Sequence, residues 1–437
     1  MAESLKPSTF LRGVHPSHNK ELSERAAVSV MPAPKTVYIP VQQHLGRPAV
    51  PVVEKGAAVA PGTLIARADG ALSSNVFSSV SGVVADIREL ATPSGYCPHI
   101  VIDNDGAGEP RELPSLDDPS AEKIRDRLDE CGVVGMGGAG FPTAMKLAAK
   151  EKIDAFIING AECEPYITCD YRIMLDYTEQ FVRGAQILAR GAGLDNFVIA
   201  IEENKPDAID RVGRYIRDNK LAAAVITLKT KYPQGAEKQL IYAVTGRRVP
   251  VGKLPASVGA LVDNVHTALS AYLAVSKGQP LYRRVMTVSG RGIKNPSNIW
   301  VCNGTPYRDI IEFCGGESET PAVKMISGGP MMGFAVSDTG IAATKTSGSL
   351  LLLTDSEAFT GEPGPCINCA ECAAACPMKL MPMYIDSYIL AGDAKNAVKY
   401  GARNCIECGC CAFVCPAKRP LVQSIRLAKK KAQGGGK

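Results

Sequence analysis

The chain has no long hydrophobic run. No window reaches the roughly 18 consecutive apolar residues that a membrane-crossing helix needs, so a place at a membrane would have to come through partners. It also has no dominant sign of charge. Against 49 Lys and Arg stand 44 Asp and Glu, and a net charge of +5 lacks the footprint of a nucleic-acid binder. The opening residues, MAESLKPSTF, lack the apolar segment of a secretory signal. Its 15 cysteines are therefore expected in a reducing compartment and not in disulfides. With 437 residues the chain exceeds what one core can organise, and three or four domains are expected.

What the chain does have is concentrated cysteine. Near the C-terminal end it reads Cys366-x2-Cys369-x2-Cys372-x3-Cys376-Pro377. The pattern then repeats as Cys405-x2-Cys408-x2-Cys411-x3-Cys415-Pro416. Each half is the run with which bacterial two-cluster ferredoxins hold a [4Fe–4S] cube. Three thiolates in series curl round three irons, and the cysteine before the proline turns to the other cube. The expected cages are thus Cys366, Cys369, Cys372 and Cys415, and Cys405, Cys408, Cys411 and Cys376. Zinc knuckles pair two CxxC units and do not repeat three cysteines in series with a proline. Cys410 reads as a small buried filler. The spacer from Met383 to Tyr400 has the rhythm of two short helices, and the basic tail from Arg426 to Lys437 reads as a frayed, solvated end.

Taken from the start, residues 1–36 form a polar extension; its His15 and His18, beside a proline, read as loop residues without further metal ligands nearby. From 37 to 102, short β-branched runs alternate with Gly and Pro turns, the pattern of a small all-β sandwich. Its phrases Val53 to Ala66 and Ser79 to Val84 resemble the lipoyl-carrier hairpin family. The tip, Ser73-Ser74-Asn75, has no lysine to modify, so the module is expected to dock and not to carry. A Pro/Gly/Asp-rich linker, 103–120, ends at Ser120, a helix cap.

The second informative stretch lies within 120–278, where strand-like runs alternate with helices in an α/β pattern. One long helix is expected over about 170–190. The loop Gly135-Met136-Gly137-Gly138-Ala139-Gly140 is followed by Phe141-Pro142-Thr143. Glycines let backbone amides close on a phosphate, and a helix starting near Pro142 would aim its positive end at the anion. The dinucleotide fingerprint expects a strand directly before such glycines, and the residues from Asp129 to Val134 make a poor one. Residues 280–335 read as short strands and a helix. A buried strand near Ser349 to Leu353 precedes the cluster domain, 355–425.

From about Ile124 to Lys277 the chain resembles the flavin-carrying, NADH-oxidising subunit of respiratory complex I. The matching segments are Gly135 to Thr143 with Lys146, then Asn159, Glu162, Glu164 and Pro165. Tyr232, Gly235 and Glu237 follow, and Asn264, Val265 and Thr267 complete the set. The departures are Met136 for an arginine, Ala161 for an acid and Ala236 for a glutamate. The resemblance implies non-covalent FMN held by Gly135, Gly137, Gly138, Gly140, Thr143, Lys146, Asn159, Tyr232, Gly235, Glu237, Asn264 and Thr267. It places Glu162 at the isoalloxazine edge and Glu164 near the nicotinamide as the catalytic acid, with Phe141 stacking on the adenine or nicotinamide side. Residues 280–335 resemble the β-grasp module that follows in that family, with Gly328-Gly329-Pro330 and Trp300 as scaffold.

The order of parts, a lipoyl-like β-sandwich, an FMN-binding α/β domain, a β-grasp module and a two-cluster ferredoxin domain, resembles the C-subunit family of Rnf (Rsx) electron-transport complexes. Gly13-Val-His15-Pro ahead of Lys20 fits its N-terminal signature, with Arg12 for a usual glycine. The resemblance implies a peripheral subunit at the cytoplasmic face of the cell membrane, bound to membrane subunits and exchanging electrons between NADH, FMN, two [4Fe–4S] clusters and a ferredoxin-like partner. Two other readings share these parts: a flavin and iron–sulfur cobalamin reductase of a bacterial microcompartment, and a two-cluster adaptor with a vestigial flavin site. No nucleophile or triad is called for.

Overall fold

A computed structural model describes residues 7–434. The N-terminal module is two facing sheets. One has the strand order Thr36–Pro40, Gly95–Asn104, Gly82–Thr92, Ala58–Val59; the other runs Val50–Pro51, Leu64–Arg67, Val76–Phe77. Alternate residues Val37 and Ile39, and Ile100 and Ile102, point into one core. Where short strands were expected, Gly82–Thr92 and Gly95–Asn104 form a long hairpin that extends beyond the core onto solvent. The tip is packed within the chain. Ser73 and Ser74 are buried, and Asn75 Nδ2 donates to the carbonyl of Glu130 at 3.3 Å.

The next domain is a four-stranded sheet in which every pair is parallel, in the order Ala223–Leu228, Phe197–Glu202, Ala155–Gly160, Ala260–Asn264. Parallel strands need helical crossovers, and the helices cover both faces. Ile173, Phe181, Leu188 and Leu269 lie in one core layer, and Ile157, Leu240, Ile241 and Val262 in the other. The helix expected as one piece is two, Cys169–Asp176 and Thr178–Gly191, broken at Tyr177. Thr178–Gly191 lies against Val265–Lys277 so closely that a Cβ on Gly184 would come within 1.7 Å of the Ala268 carbonyl oxygen. In chain order the strands run third, second, first, fourth. The direction of winding therefore reverses between Ala155–Gly160 and Ala260–Asn264, and the ends of those two strands form the crevice where ligands of open α/β sheets bind.

The β-grasp module is larger than 280–335. Ser349–Leu353, wholly buried, lies at the heart of its sheet, parallel to Arg283–Ser289 and antiparallel to Lys324–Ser327. Ser29–Val30 of the N-terminal extension adds a parallel edge strand against Ser297–Cys302. Local pattern shows a strand but not its neighbours, which is why both were assigned elsewhere. Trp300 serves as scaffold, its indole N–H donating to Tyr177 at 2.8 Å.

In the cluster domain the two expected spacer helices are Pro382–Leu390 and Ala394–Lys399. The two cysteine runs fold alike. Asn368 and Glu407 share φ of 57° and 58°, and Lys379 and Lys418 share φ of 57° and 53°. The basic tail does not fray where expected. Leu421–Gly434 is a helix whose Val422, Ile425 and Ala428 are buried, while Arg426 and Lys429 both bind Glu407. Residues 435–437 lie outside the described residues. Among the described residues no helix is long and apolar enough to cross a membrane.

Candidate functional site

The crevice at the strand ends collects the motifs that the sequence scatters. Asn159 and Asn264 are register partners on neighbouring strands. Asn159 Nδ2 donates to the Gly235 carbonyl at 2.8 Å, joining two of the motifs. The glycine loop is tied to a third, because Met136 N donates to Thr267 Oγ1 at 3.0 Å. Gly137 lies against Asn264, where an added Cβ would meet the side chain at 2.9 Å. Gly138 faces open space, and Gly137, Gly138 and Ala139 are exposed. Gly135 donates to the Phe141 carbonyl at 2.8 Å and so closes the loop.

The helix after this loop, Thr143–Leu147, has five residues. So short a helix carries little dipole, and the expectation of a strong positive end aimed at an anion is corrected to one of exposed loop amides. No strand precedes the glycines, in keeping with the poor strand pattern there. Thr143 Oγ1 is buried without a hydrogen-bond partner. The exposed amides of the loop and the buried, unpartnered hydroxyl that follows it in the chain are donor types suited to a phosphate, so these residues fit the phosphate end of FMN.

The remaining expected contacts divide by what already engages them. Lys146 donates to the Val262 carbonyl at 2.7 Å and to Asp263 Oδ1 at 3.0 Å. Glu237 is exposed, within range of the Lys146 and Asp263 charges, and Gly235 is half-buried. Glu162 is held by backbone donors. Its two oxygens accept from the amides of Asp170 at 2.6 Å and Tyr171 at 3.2 Å, at the start of Cys169–Asp176, and its side chain is 3% exposed. Burial pushes its carboxyl up to about 7, against the pull of Lys20.

Glu164 faces the other way, toward the cluster domain. It accepts from Tyr232 Oη at 3.3 Å and from Met331 N at 3.1 Å. Burial raises it to about 7, and the Met331 amide and Tyr232 hydroxyl oppose that rise. Gly329, expected only as scaffold, is where the β-grasp loop passes this acid; a Cβ there would sit 2.2 Å from Glu164 Oε2. Two of the departures from the related family sit in packed surroundings. Met136 is buried with Val134 and Leu281, and Ala161 lies wholly in the core.

The eight cysteines gather in the expected three-plus-one arrangement. Cys366, Cys369, Cys372 and Cys415 line one cavity with Met383 and Leu421; Cys376, Cys405, Cys408 and Cys411 line a second with Val422 and Ile425. Four soft thiolate donors in an apolar shell fit an iron–sulfur cube. The second cavity abuts the crevice. Tyr232, Cys408 and Cys410 share one buried cluster with Val14, and Cys163 and Met331 pack on it. Cys410 is fully buried, as expected of a filler, with its thiol within 3.9 Å of the Tyr232 carbonyl.

Several residues here escaped sequence reasoning. Asp263 precedes a matched motif and Lys20 closes another, so adjacency was the available signal for both. Asp170, Lys205 and Met331 offered none.

Four family descriptions match in order: an RnfC barrel sandwich hybrid domain over residues 8–107, a Nuo51 FMN-binding domain over 128–273, an SLBB domain over 285–335 and a 4Fe-4S dicluster domain over 360–416. Three relatives match nearly end to end. The C subunit of the proton-translocating ferredoxin:NAD(+) oxidoreductase complex of Clostridium ljungdahlii is 46% identical, over 98% of this chain and 95% of its own. The C subunit of the ion-translocating oxidoreductase complex of Rhodobacter capsulatus is 42% identical over 96% and 82%. The C subunit of the Na(+)-translocating ferredoxin:NAD(+) oxidoreductase complex of Acetobacterium woodii is 41% identical over 98% and 98%. An NAD+-reducing [NiFe]-hydrogenase in its H2-reduced state shares the fold at TM-score 0.50 and 17% identity, over 72% of this chain and 61% of its own.

Proposed function

The chain belongs to the family of C subunits of ion-translocating, Rnf-type oxidoreductase complexes, and on that premise we propose that it passes electrons between NADH and two [4Fe–4S] clusters by way of FMN. It does so as a peripheral subunit on the cytoplasmic face of the membrane, with a ferredoxin-like subunit as its electron partner. The packing of the Cys405 set against Tyr232 and the turn that carries Glu164 supports this reading, because the cysteines that would hold a cube lie beside the crevice with no intervening domain. The full-length relatives favour it over a corrinoid reductase or a two-cluster adaptor.

Bound FMN supplies the conversion of a hydride pair into single electrons, which nicotinamide alone does not perform. The chain's residues supply the setting. Exposed amides of Gly137, Gly138 and Ala139 would hold the phosphate, with the unpartnered Thr143 hydroxyl as a further donor. Asn159, Gly235 and Lys146 form the floor. Glu164 can hold or release a proton near neutral pH at an oxygen already fixed by Tyr232 and Met331. The Cys405 cage lies nearest the crevice, and the Cys366 cage is the outer one.

An anaerobic optical titration of the cluster-reconstituted chain with NADH tests this. Bleaching of flavin absorbance followed by the broad iron–sulfur band is expected. A flavin that NADH leaves oxidised refutes hydride transfer at this site.

A further inference from the structure

The N-terminal extension is built into the crevice. Ser8 N donates to the Thr227 carbonyl at 3.0 Å, and Lys229 N returns a bond to Ser8 at 2.9 Å. Val14 and Tyr232 exchange two backbone bonds at 2.8 and 3.0 Å. Gly13 N donates at 3.0 Å to the carbonyl of Ala375, the residue before Cys376 of the inner cage. The same strap then runs along the turn that carries both acids. The His18 carbonyl accepts from Tyr166 N at 2.8 Å, and Ser23 Oγ meets Thr168 Oγ1 at 2.7 Å.

Between these two ties sits Lys20, 6% exposed. Its ammonium donates to the carbonyls of Glu162 at 2.9 Å, Glu164 at 3.0 Å and Ile167, and lies 4.0 Å from the Glu162 carboxylate. The turn it holds is strained: Glu162 and Tyr166 have φ of 44° and 67°, a region that residues with a Cβ rarely adopt. Such a conformation persists only where its surroundings over-determine it. An ammonium offers three donors and no acceptor, so three converging carbonyls saturate it. A second buried amine, Lys205, donates to the Ala161 carbonyl at 2.7 Å, to Asn204 Oδ1 at 3.1 Å and to Glu202 at 3.4 Å.

We propose that Lys20 is a positioning residue of the flavin site, gathering the carbonyls of the acid-bearing turn so that Glu162 and Glu164 are fixed relative to the crevice, while its strap fixes the Cys376 loop relative to both. The role rests on the FMN reading above. It deepens that reading by making the N-terminal segment, which lies outside the flavin domain in sequence, part of its binding machinery.

The test compares Lys20→Met and Lys20→Arg with the unaltered full chain, clusters reconstituted. FMN affinity is measured by fluorescence, the flavin midpoint potential by spectroelectrochemistry, and the KM for NADH separately from kcat. Lys20→Met is expected to weaken FMN binding at least about tenfold, as lost charge-assisted hydrogen bonds do. It should also displace the midpoint and raise KM, with iron content and far-UV circular dichroism unchanged. Lys20→Arg, which keeps charge and donors, should recover most of the affinity and the midpoint. Wild-type affinity, midpoint and KM in Lys20→Met overturn the proposal, as does an arginine variant no better than the methionine one. Should Lys20→Met not fold, Lys20→Gln is read by the same criteria. A wild-type chain that takes up no FMN refutes the flavin reading itself, whereas normal FMN uptake by both wild type and Lys20→Met refutes Lys20's role alone.

Discussion

Tyr232→Phe removes one hydroxyl and leaves the ring in its buried place. The lost bond is Tyr232 Oη to Glu164 Oε1, 3.3 Å long, so the low end of the range for bonds to charged groups applies, about 1.5 kcal/mol. One pH unit corresponds to about 1.36 kcal/mol, so Glu164, now held at about 7, should move up by about one unit. The direction follows from chemistry: the hydroxyl stabilises the carboxylate, and its removal favours the acid form. The Met331 amide, at 3.1 Å, still holds the other oxygen, so the acid keeps its position. At pH 7.5 the ionised fraction should fall from about three quarters to about one quarter. The assay is the initial rate of anaerobic flavin bleaching by NADH between pH 6 and 9. Its midpoint should rise by about one unit in Tyr232→Phe, and the corresponding limb should vanish in Glu164→Gln. A midpoint that stays in place or falls refutes Glu164 as the titrating group.

Two further outcomes are expected. Cys369→Ala should lower iron from about eight to about four atoms per chain by emptying the outer cage, and iron near eight would show that Cys369 is not needed as a ligand. Lys345→Met should change how stability depends on pH. Lys345 is wholly buried against the Asn75 and Gly132 carbonyls, and burial lowers it from 10.5 to about 7. Between those values the unfolded chain binds a proton that the folded chain does not, so the wild type gains stability as pH rises from about 7, by up to about 1.4 kcal/mol per unit. Thermal unfolding at pH 7 and 9 should show a smaller gain in Lys345→Met, and an equal gain would disprove the assignment.

Much of the arrangement was legible in the chain. The cysteine cages follow from spacing because each ligand's reach is set by a few backbone bonds, and the structure groups the same eight residues. The flavin motifs lie at strand ends and turns, where special residue types mark themselves. The orientation of Glu162 and Glu164 was not legible. Two acids separated by one residue look equivalent in a motif, yet Glu162 points back to the amides of Asp170 and Tyr171 while Glu164 reaches Tyr232 and Met331. Left-handed φ at Glu162 accounts for part of that divergence, and it is imposed by contacts made elsewhere.

By itself, then, the sequence determined the order of modules, the α/β alternation and the grouping of the eight cysteines into two runs, all governed by local periodicity and short spacings. Tertiary structure alone decided that Ser349–Leu353 completes the β-grasp sheet, that the inner cage meets Tyr232, and that Lys20 reaches a turn more than a hundred residues away. Those are pairings between segments distant in the chain. They are fixed by which buried donors and apolar faces find partners on folding, and no local pattern encodes them.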